Sequence, residues 1–198
     1  VSTKYMMEAK KRGAKIIVIN PYREPAMENY WVPSVVESAL FGTEIADEFY
    51  EVNIGGDIAL MHGVMKHWFD LEEQNPGSAI NHDFVKEHVN NYEDMKENAM
   101  SQSWDKIVAS SGVSKEKIIE FSNILAKAKN GVMVWALGLT MHKHATDNIS
   151  QVANLALLRG WLGGKNKGLM PLRGHSSVQG SGEMGADPFS LPGGDYND

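Results

Sequence analysis

The chain has 198 residues, no cysteine, 42% hydrophobic and 22% charged residues, and a formal net charge of −6. Such a chain makes one sizeable core and buries roughly 70% of its unfolded surface. The composition excludes a disulfide framework, an iron–sulfur cluster or a thiolate metal site from this chain. The acidic balance speaks against a nucleic-acid or anionic-membrane partner, and no apolar run reaches the roughly 20 residues of a membrane span. The lack of thiols fits a reducing compartment, and a cytoplasmic setting is the expectation. Val1-Ser2-Thr3-Lys4 carries no initiator Met and no signal pattern. It leads directly into a helical segment, so the chain reads as an internal piece of a longer polypeptide.

Ser2 or Thr3 caps a helix through about Arg12, and Gly13 stops it. Lys15-Ile16-Ile17-Val18-Ile19 is a β-branched run of the kind found in buried parallel strands, and Asn20-Pro21 ends it. Helix, glycine, strand and polar turn form the second half of a βαβ unit, with the first strand missing. Ligands of open α/β sheets sit beyond the carboxyl ends of strands, so Asn20, Tyr22 and Arg23 are placed either for ligand contact or for an ordinary turn. Residues 24–47 read as an irregular excursion whose Tyr30, Trp31, Val32, Leu40 and Phe41 pack against the body or a neighbouring domain. A short strand, Phe49 to Asn53, follows. Gly55-Gly56-Asp57 opens a helix from Ile58 to about Asp70, and Asp57 is either its N-cap or a ligand contact.

After the Asn75-Pro76-Gly77 loop, Asn81 caps a helix from His82 to about Val89. Residues 92–98 are loosely helical, and a helix runs from Ser101 to about Ser110. Ser114-Lys115-Glu116-Lys117 opens an amphipathic helix to about Lys129 with Ile118, Ile119, Phe121, Ile124 and Leu125 as its stripe. Val132 to Leu137 is the third strand. Gly138-Leu139-Thr140-Met141-His142 forms its exit, and a long helix runs from His144 to Trp161. His142 and His144 have no carboxylate or third histidine beside them that would make a metal site, so solvent or substrate contact is the better reading. From Leu162 the chain reads as mostly loop. It includes Arg173-Gly174-His175-Ser176-Ser177-Val178-Gln179-Gly180, where an arginine fork and flexible glycines make either an anion cradle or a plain surface loop. The end, including Asp187-Pro188-Phe189 and Leu191-Pro192-Gly193-Gly194, shows no compact finish.

Five pieces in this order carry a resemblance: Asn20-Pro21-Tyr22-Arg23; Gly55-Gly56-Asp57-Ile58-Ala59-Leu60; Gly138-Leu139-Thr140-Met141-His142; Arg159-Gly160-Trp161-Leu162-Gly163-Gly164; and Arg173 through Gly180 with Met184-Gly185. Together they resemble the catalytic subunits of molybdopterin oxidoreductases of the formate dehydrogenase and dimethyl sulfoxide reductase family. Trp31-Val32-Pro33-Ser34 and Ser38-Ala39-Leu40-Phe41-Gly42-Thr43 are similar to the formate-dehydrogenase-like branch.

The resemblance implies an α/β fold: a Rossmann-like parallel sheet flanked by helices, with a long irregular C-terminal segment. Residues 1–161 would be the dinucleotide-binding-like domain and 162–198 the glycine-rich cofactor-site loop and tail. The implied cofactor is molybdopterin guanine dinucleotide carrying molybdenum or tungsten, with the protein ligand to the metal outside this chain. Asp57 would accept from the guanine edge beside Gly55 and Gly56, and Asn20 and Arg23 stand at the family's Asp-Pro-Arg strand end. Gly138, Thr140 and His142 would approach the pterin. Arg173 would orient a formate-like carboxylate, with Gly174, Ser177, Val178 and Gln179 lining the cofactor. The implied partners are a small-molecule substrate and the remaining domains of the polypeptide, without which the piece has no redox activity and parts of residues 162–198 are poorly packed or held by a neighbouring molecule. The competing reading is a non-catalytic nucleotide-binding or protein-interaction module.

Overall fold

The computed structural model of the protein describes residues 2–33, 35–175, 177–184, 190–191 and 194–195. The chain is mixed α/β and divides into two compact units, residues 1–70 with 93–124 and residues 71–92 with 125–198. The elements, in chain order, begin with α1 (Ser2–Lys11), β1 (Ile17–Ile19), α2 (Pro25–Glu28), α3 (Val36–Phe41), β2 (Glu48–Tyr50) and α4 (Asp57–Gln74). Then come α5 (His82–His88), α6 (Tyr92–Ser101), α7 (Trp104–Ser111), α8 (Lys115–Lys127) and β3 (Val132–Trp135). The last are α9 (Leu137–Thr140), α10 (Ala145–Leu158), β4 (Gly168–Pro171), α11 (Val178–Glu183), β5 (Ser190–Leu191) and β6 (Gly194–Asp195).

In the first unit β1 and β2 pair in parallel with Val18 opposite Phe49. The β-branched run makes β1 because branched side chains pack well on a pleated surface. Asp47 sets the entry to the pair: its Oδ2 accepts from Ile16 N at 2.7 Å, while Lys10 Nζ lies 3.1 Å from Oδ1. The long helix α4 packs on α7 and α8 through Gly63, where an added β-carbon would lie 2.8 Å from Ile118 and 3.0 Å from Ile107. Trp68, fully buried, donates its indole N–H to Ser122 O at 3.1 Å.

The excursion at 24–47 is more regular than its Pro/Gly punctuation suggests. It holds α2, which starts at Pro25, and α3, and an antiparallel bridge joins Tyr30 to Thr43. Helices this short are not stable alone. A buried hydroxyl holds this one: Ser38 Oγ accepts from Val32 N at 2.8 Å and from Thr43 Oγ1 at 2.7 Å, and donates to Tyr30 O at 3.1 Å. Beneath it Val32, Ile45 and Met7 form a small core.

In the second unit β3 and β4 pair in parallel, Val132 opposite Gly168 through Trp135 opposite Pro171. The stretch from Leu162, expected to be mostly loop, holds β4 and α11. Four residues with a glycine and a proline carry no readable period, and they become a strand because β3 offers them a hydrogen-bonding edge. Asn81 caps α5 as expected, its Oδ1 accepting from Phe84 N at 3.1 Å. Its backbone N–H donates to Leu158 O at 2.8 Å, tying α5 to the end of α10. β5 and β6 form a short antiparallel pair. The expectation of a loose finish falls partly on residues 185–189, 192–193 and 196–198, outside the described residues, as do Ser34 and Ser176. Among the described residues no helix is long and apolar enough to cross a membrane.

Candidate functional site

Parallel strands deliver their exits to one end of a sheet, and both units follow this rule. In the first, Asn20 N donates to Tyr50 O at 3.1 Å, so the β1 and β2 exits start side by side. Asn20 Nδ2 turns back onto Tyr22 O at 2.7 Å and shapes its own turn. Arg23 sits in a carboxylate vice. Its Nε is 2.5 Å from Glu28 Oε1, Nη1 is 3.7 Å from Glu51 Oε1, and the guanidinium lies over the Phe49 ring at 4.9 Å.

The β2 exit runs to a tight turn in which Gly56 N donates to Asn53 O at 2.8 Å, and Gly56 O accepts the first helical bond, from Leu60 N. Gly56 is therefore the capping position and the half-buried Asp57 the first helical residue, one position later than an N-cap. A carboxylate there is favoured by the helix dipole. The two glycines are present for different reasons. Gly55 has φ +80° and open space where a side chain would project, whereas a β-carbon on Gly56 would lie 2.6 Å from Ser110 O and 2.9 Å from Ser111 Cα. Gly56→Ala is expected to lower stability by about 2 kcal/mol through forced backbone movement. Gly55→Ala is expected to lower it by only about 1 kcal/mol through its left-handed φ. Urea denaturation of the two variants checks the order, and a larger loss at Gly55 would contradict it.

Beside these exits lies a groove of about 540 Å³ that the sequence reading did not anticipate. Glu28, Glu44, Asp47, Glu48 and Glu51 line it against Arg23 and Lys117. Acidic residues scattered over 28–51 carry no linear signal of meeting, and Asn20, Gly55, Gly56 and Asp57 are outside its lining.

In the second unit Leu172 N donates to Trp135 O at 2.7 Å, extending the β3–β4 ladder by one residue. Arg173 and Gly174 follow at once, and the β3 exit turns into α9. A β-carbon on Gly174 would lie 3.7 Å from Leu137 Cδ1, so the two exits touch. Thr140 Oγ1 lies 3.4 Å from Ala136 O, and the half-buried His142 accepts from Ala145 N through its carbonyl at 3.2 Å. The buried Asn148 of α10 donates from Nδ2 to Leu139 O at 3.1 Å, steadying the loop that carries Gly138 and Thr140.

Arg173 is exposed and forms no ion pair among the described residues, in contrast to Arg23. No Asp or Glu occurs from Asn148 through Gly182, while Arg159, Lys165, Lys167 and Arg173 do. Lys165 and Lys167 precede β4 and Arg173 follows it, so the two lysines stand at the entry of the strand and the arginine at its exit. Ser177 has φ +55° and precedes α11, with Val178 its first residue, and Gln179 Nε2 lies 3.3 Å from Glu183 Oε1. Within the second unit Gly138, Thr140, Arg173 and Gly174 follow the β3–β4 ladder, and within the first Asn20 and Arg23 follow β1 while Gly55–Asp57 follow β2.

No protein-family model matches the chain. An uncharacterized oxidoreductase of Mycobacterium bovis is 35% identical over 179 residues, 90% of this chain and 23% of that protein. The F420-dependent formate dehydrogenase subunit alpha of Methanocaldococcus jannaschii is 30% identical over 188 residues, 95% of this chain and 25% of that subunit. Among solved structures, acetylene hydratase from Pelobacter acetylenicus shares the fold at a TM-score of 0.63 and 23% identity, over 80% of this chain and 19% of its own. The chain thus spans about a quarter of the length of the curated relatives it matches. It is homologous to one stretch of a class of oxidoreductases. Within that class it is a relative of the formate dehydrogenase group, as the order of its motifs implied.

Proposed function

We propose that this chain is a cofactor-binding α/β domain of a molybdenum or tungsten oxidoreductase of formate dehydrogenase type. It would hold part of a molybdopterin guanine dinucleotide. The observation that carries the reading is the β3–β4 exit, where the exposed Arg173, which forms no ion pair among the described residues, stands beside two glycine-bearing loops. A phosphorylated, anionic cofactor and a small carboxylate substrate suit that chemistry. Each parallel ladder with its helices is read as part of a Rossmann-like fold.

When bound, the cofactor supplies the metal centre at which electrons leave the substrate. The chain's own residues bind and orient. Gly138, Thr140, His142, Gly174, Ser177, Val178 and Gln179 would line the pterin side, and Arg173 would align the substrate carboxylate. Gly55 leaves room at the other exit for a flat base, and Asp57 would accept two hydrogen bonds from its N–H edge. Asn20 and Arg23 would border that exit, Arg23 reaching a phosphate only by leaving Glu28 and Glu51. The remaining domains would complete the site, and the 198 residues alone would oxidise no formate.

The test uses the complete polypeptide. Asp57→Ala is expected to lower the guanine nucleotide and pterin released on denaturation about tenfold, the value of about one charge-assisted hydrogen bond. Arg173→Ala is expected to keep that content and lower formate turnover about 100-fold. Unchanged content in the first variant removes the guanine role. A complete polypeptide without pterin, molybdenum and tungsten overturns the whole reading.

A further inference from the structure

The excursion at 24–47 is built as a rigid platform, and its outward face carries four exposed large hydrophobic side chains. Ser38 is the sole buried residue of α3, and it is tied to Tyr30, Val32 and Thr43. The rest of α3 is thereby turned outward. Val36 is 78%, Leu40 71% and Phe41 81% exposed, and Trp31, on the adjoining segment, is 65% exposed. Val36 and Leu40 are four apart and share a helix face.

Residues 29–43 contain a single charged residue, Glu37, in a chain with 22% charged residues. Aromatic and aliphatic enrichment with depletion of charge is the composition of an interface core, and exposed patches of this kind mark contact surfaces. A mobile loop would lose affinity to ordering on binding. Here the hydrogen-bonded core has already ordered the backbone.

We infer that Trp31, Val36, Leu40 and Phe41 form a docking face for an apolar, uncharged surface of another domain of the same polypeptide. This rests on the reading of the chain as one domain of a longer enzyme. The curated relatives carry roughly three quarters of their length outside the matched stretch, which supplies the occupant. The face is distinct from the strand exits: it takes a protein surface and no cofactor.

The 198 residues contain no cysteine, so an introduced thiol here is readily located. Phe41→Cys and, separately, Leu40→Cys are placed in the complete polypeptide. Both positions are solvent-facing in this chain, so neither change disturbs its core. Maleimide labelling of each site is followed by peptide mass spectrometry, native against denatured, on fractions of defined oligomeric state. The expected result is labelling at least 100-fold slower in the native monomer than in the denatured protein. Labelling within about threefold of the denatured rate overturns the proposal. Protection confined to a dimer also overturns it and assigns the face to a second copy. Pterin content measured on the same preparation separates the two readings. Loaded protein with fast labelling removes the docking face alone, and slow labelling without pterin removes the cofactor reading alone.

Discussion

Replacing Glu72 with alanine is expected to destabilise the protein by about 3 kcal/mol, because three backbone N–H groups lose their acceptor together. Glu72 is buried near the end of α4. Its Oε2 accepts from Gly77 N at 2.6 Å and faces His82 Nε2 at 2.6 Å. Its Oε1 accepts from Ala79 N at 2.6 Å and Ile80 N at 2.9 Å. Ala79 and Ile80 are themselves buried, so water does not replace the lost acceptor at low cost. On the far side of the same loop, Arg159 donates to Ala79 O, and its Nη2 donates to Ala128 O at 2.9 Å. One carboxylate thus closes the 75–81 turn and, through it, sets where α5 begins.

The pH dependence has a definite sign. Burial pushes the Glu72 carboxyl up, but the hydrogen bonds from Ala79, Gly77, His82 and Ile80 outweigh it and hold its pKa below the ordinary carboxylate range. A carboxylate depressed on folding contributes stability that is present above its unfolded pKa and lost as pH falls through the folded one. The stability gap between wild type and Glu72→Gln is therefore expected to be widest near neutrality and to narrow as pH falls through and below the ordinary carboxylate range. Urea midpoints across that range measure it. A gap that widens on acidification would contradict the assignment.

Trp161→Ala is expected to remove about 3–5 kcal/mol, the usual loss for a fully enclosed tryptophan. The ring is 1% exposed and lies on Gly131: a β-carbon there would sit 2.4 Å from Trp161 Cε3. Gly131 O accepts from Gly168 N at 3.1 Å, at the start of the β3–β4 ladder, so the ring presses on the end of the ladder opposite Arg173. Trp161 Nε1 has no hydrogen-bond partner among the described residues, so the contribution is packing together with the Arg159 guanidinium 5.6 Å from the ring centre. Trp161→Phe is expected to lose about 1–2 kcal/mol, less than alanine, since the N–H it removes makes no bond. Gly131→Val is expected to match the alanine variant by overpacking the same contact. Thermal melts, with hydrogen exchange across 168–171, read both effects. Equal losses for Phe and Ala would show that the indole N–H matters after all.

Where a segment's structure follows from its neighbours in the chain, the sequence is enough. Asn81 has only to reach the N–H of Phe84 to start α5, and the stripe from Ile118 to Leu125 needs only helical periodicity. The strands β1 and β3 are legible for the same reason, and so is the rule that their exits carry the polar residues. β4 was not legible, because a Gly–Leu–Met–Pro run becomes a strand only against β3. α2 and α3 were not, because helices of four and six residues are too short to form by propensity, and α3 is held by Ser38 and the Tyr30–Thr43 bridge.

The candidate site divides along the same line. The sequence by itself determined which residue types stand at the strand ends, Asp57 after Gly55-Gly56 and Arg173 before Gly174, together with the kinship to formate dehydrogenases that their order implies. The tertiary structure alone decided which of them are already engaged. Arg23 faces Glu28 and Glu51, Gly56 is glycine for the sake of Ser110, and Arg173 has no carboxylate partner among the described residues. Pairing of charges and close approach of backbones depend on distances between residues far apart in the chain. Those distances exist only once the core has formed.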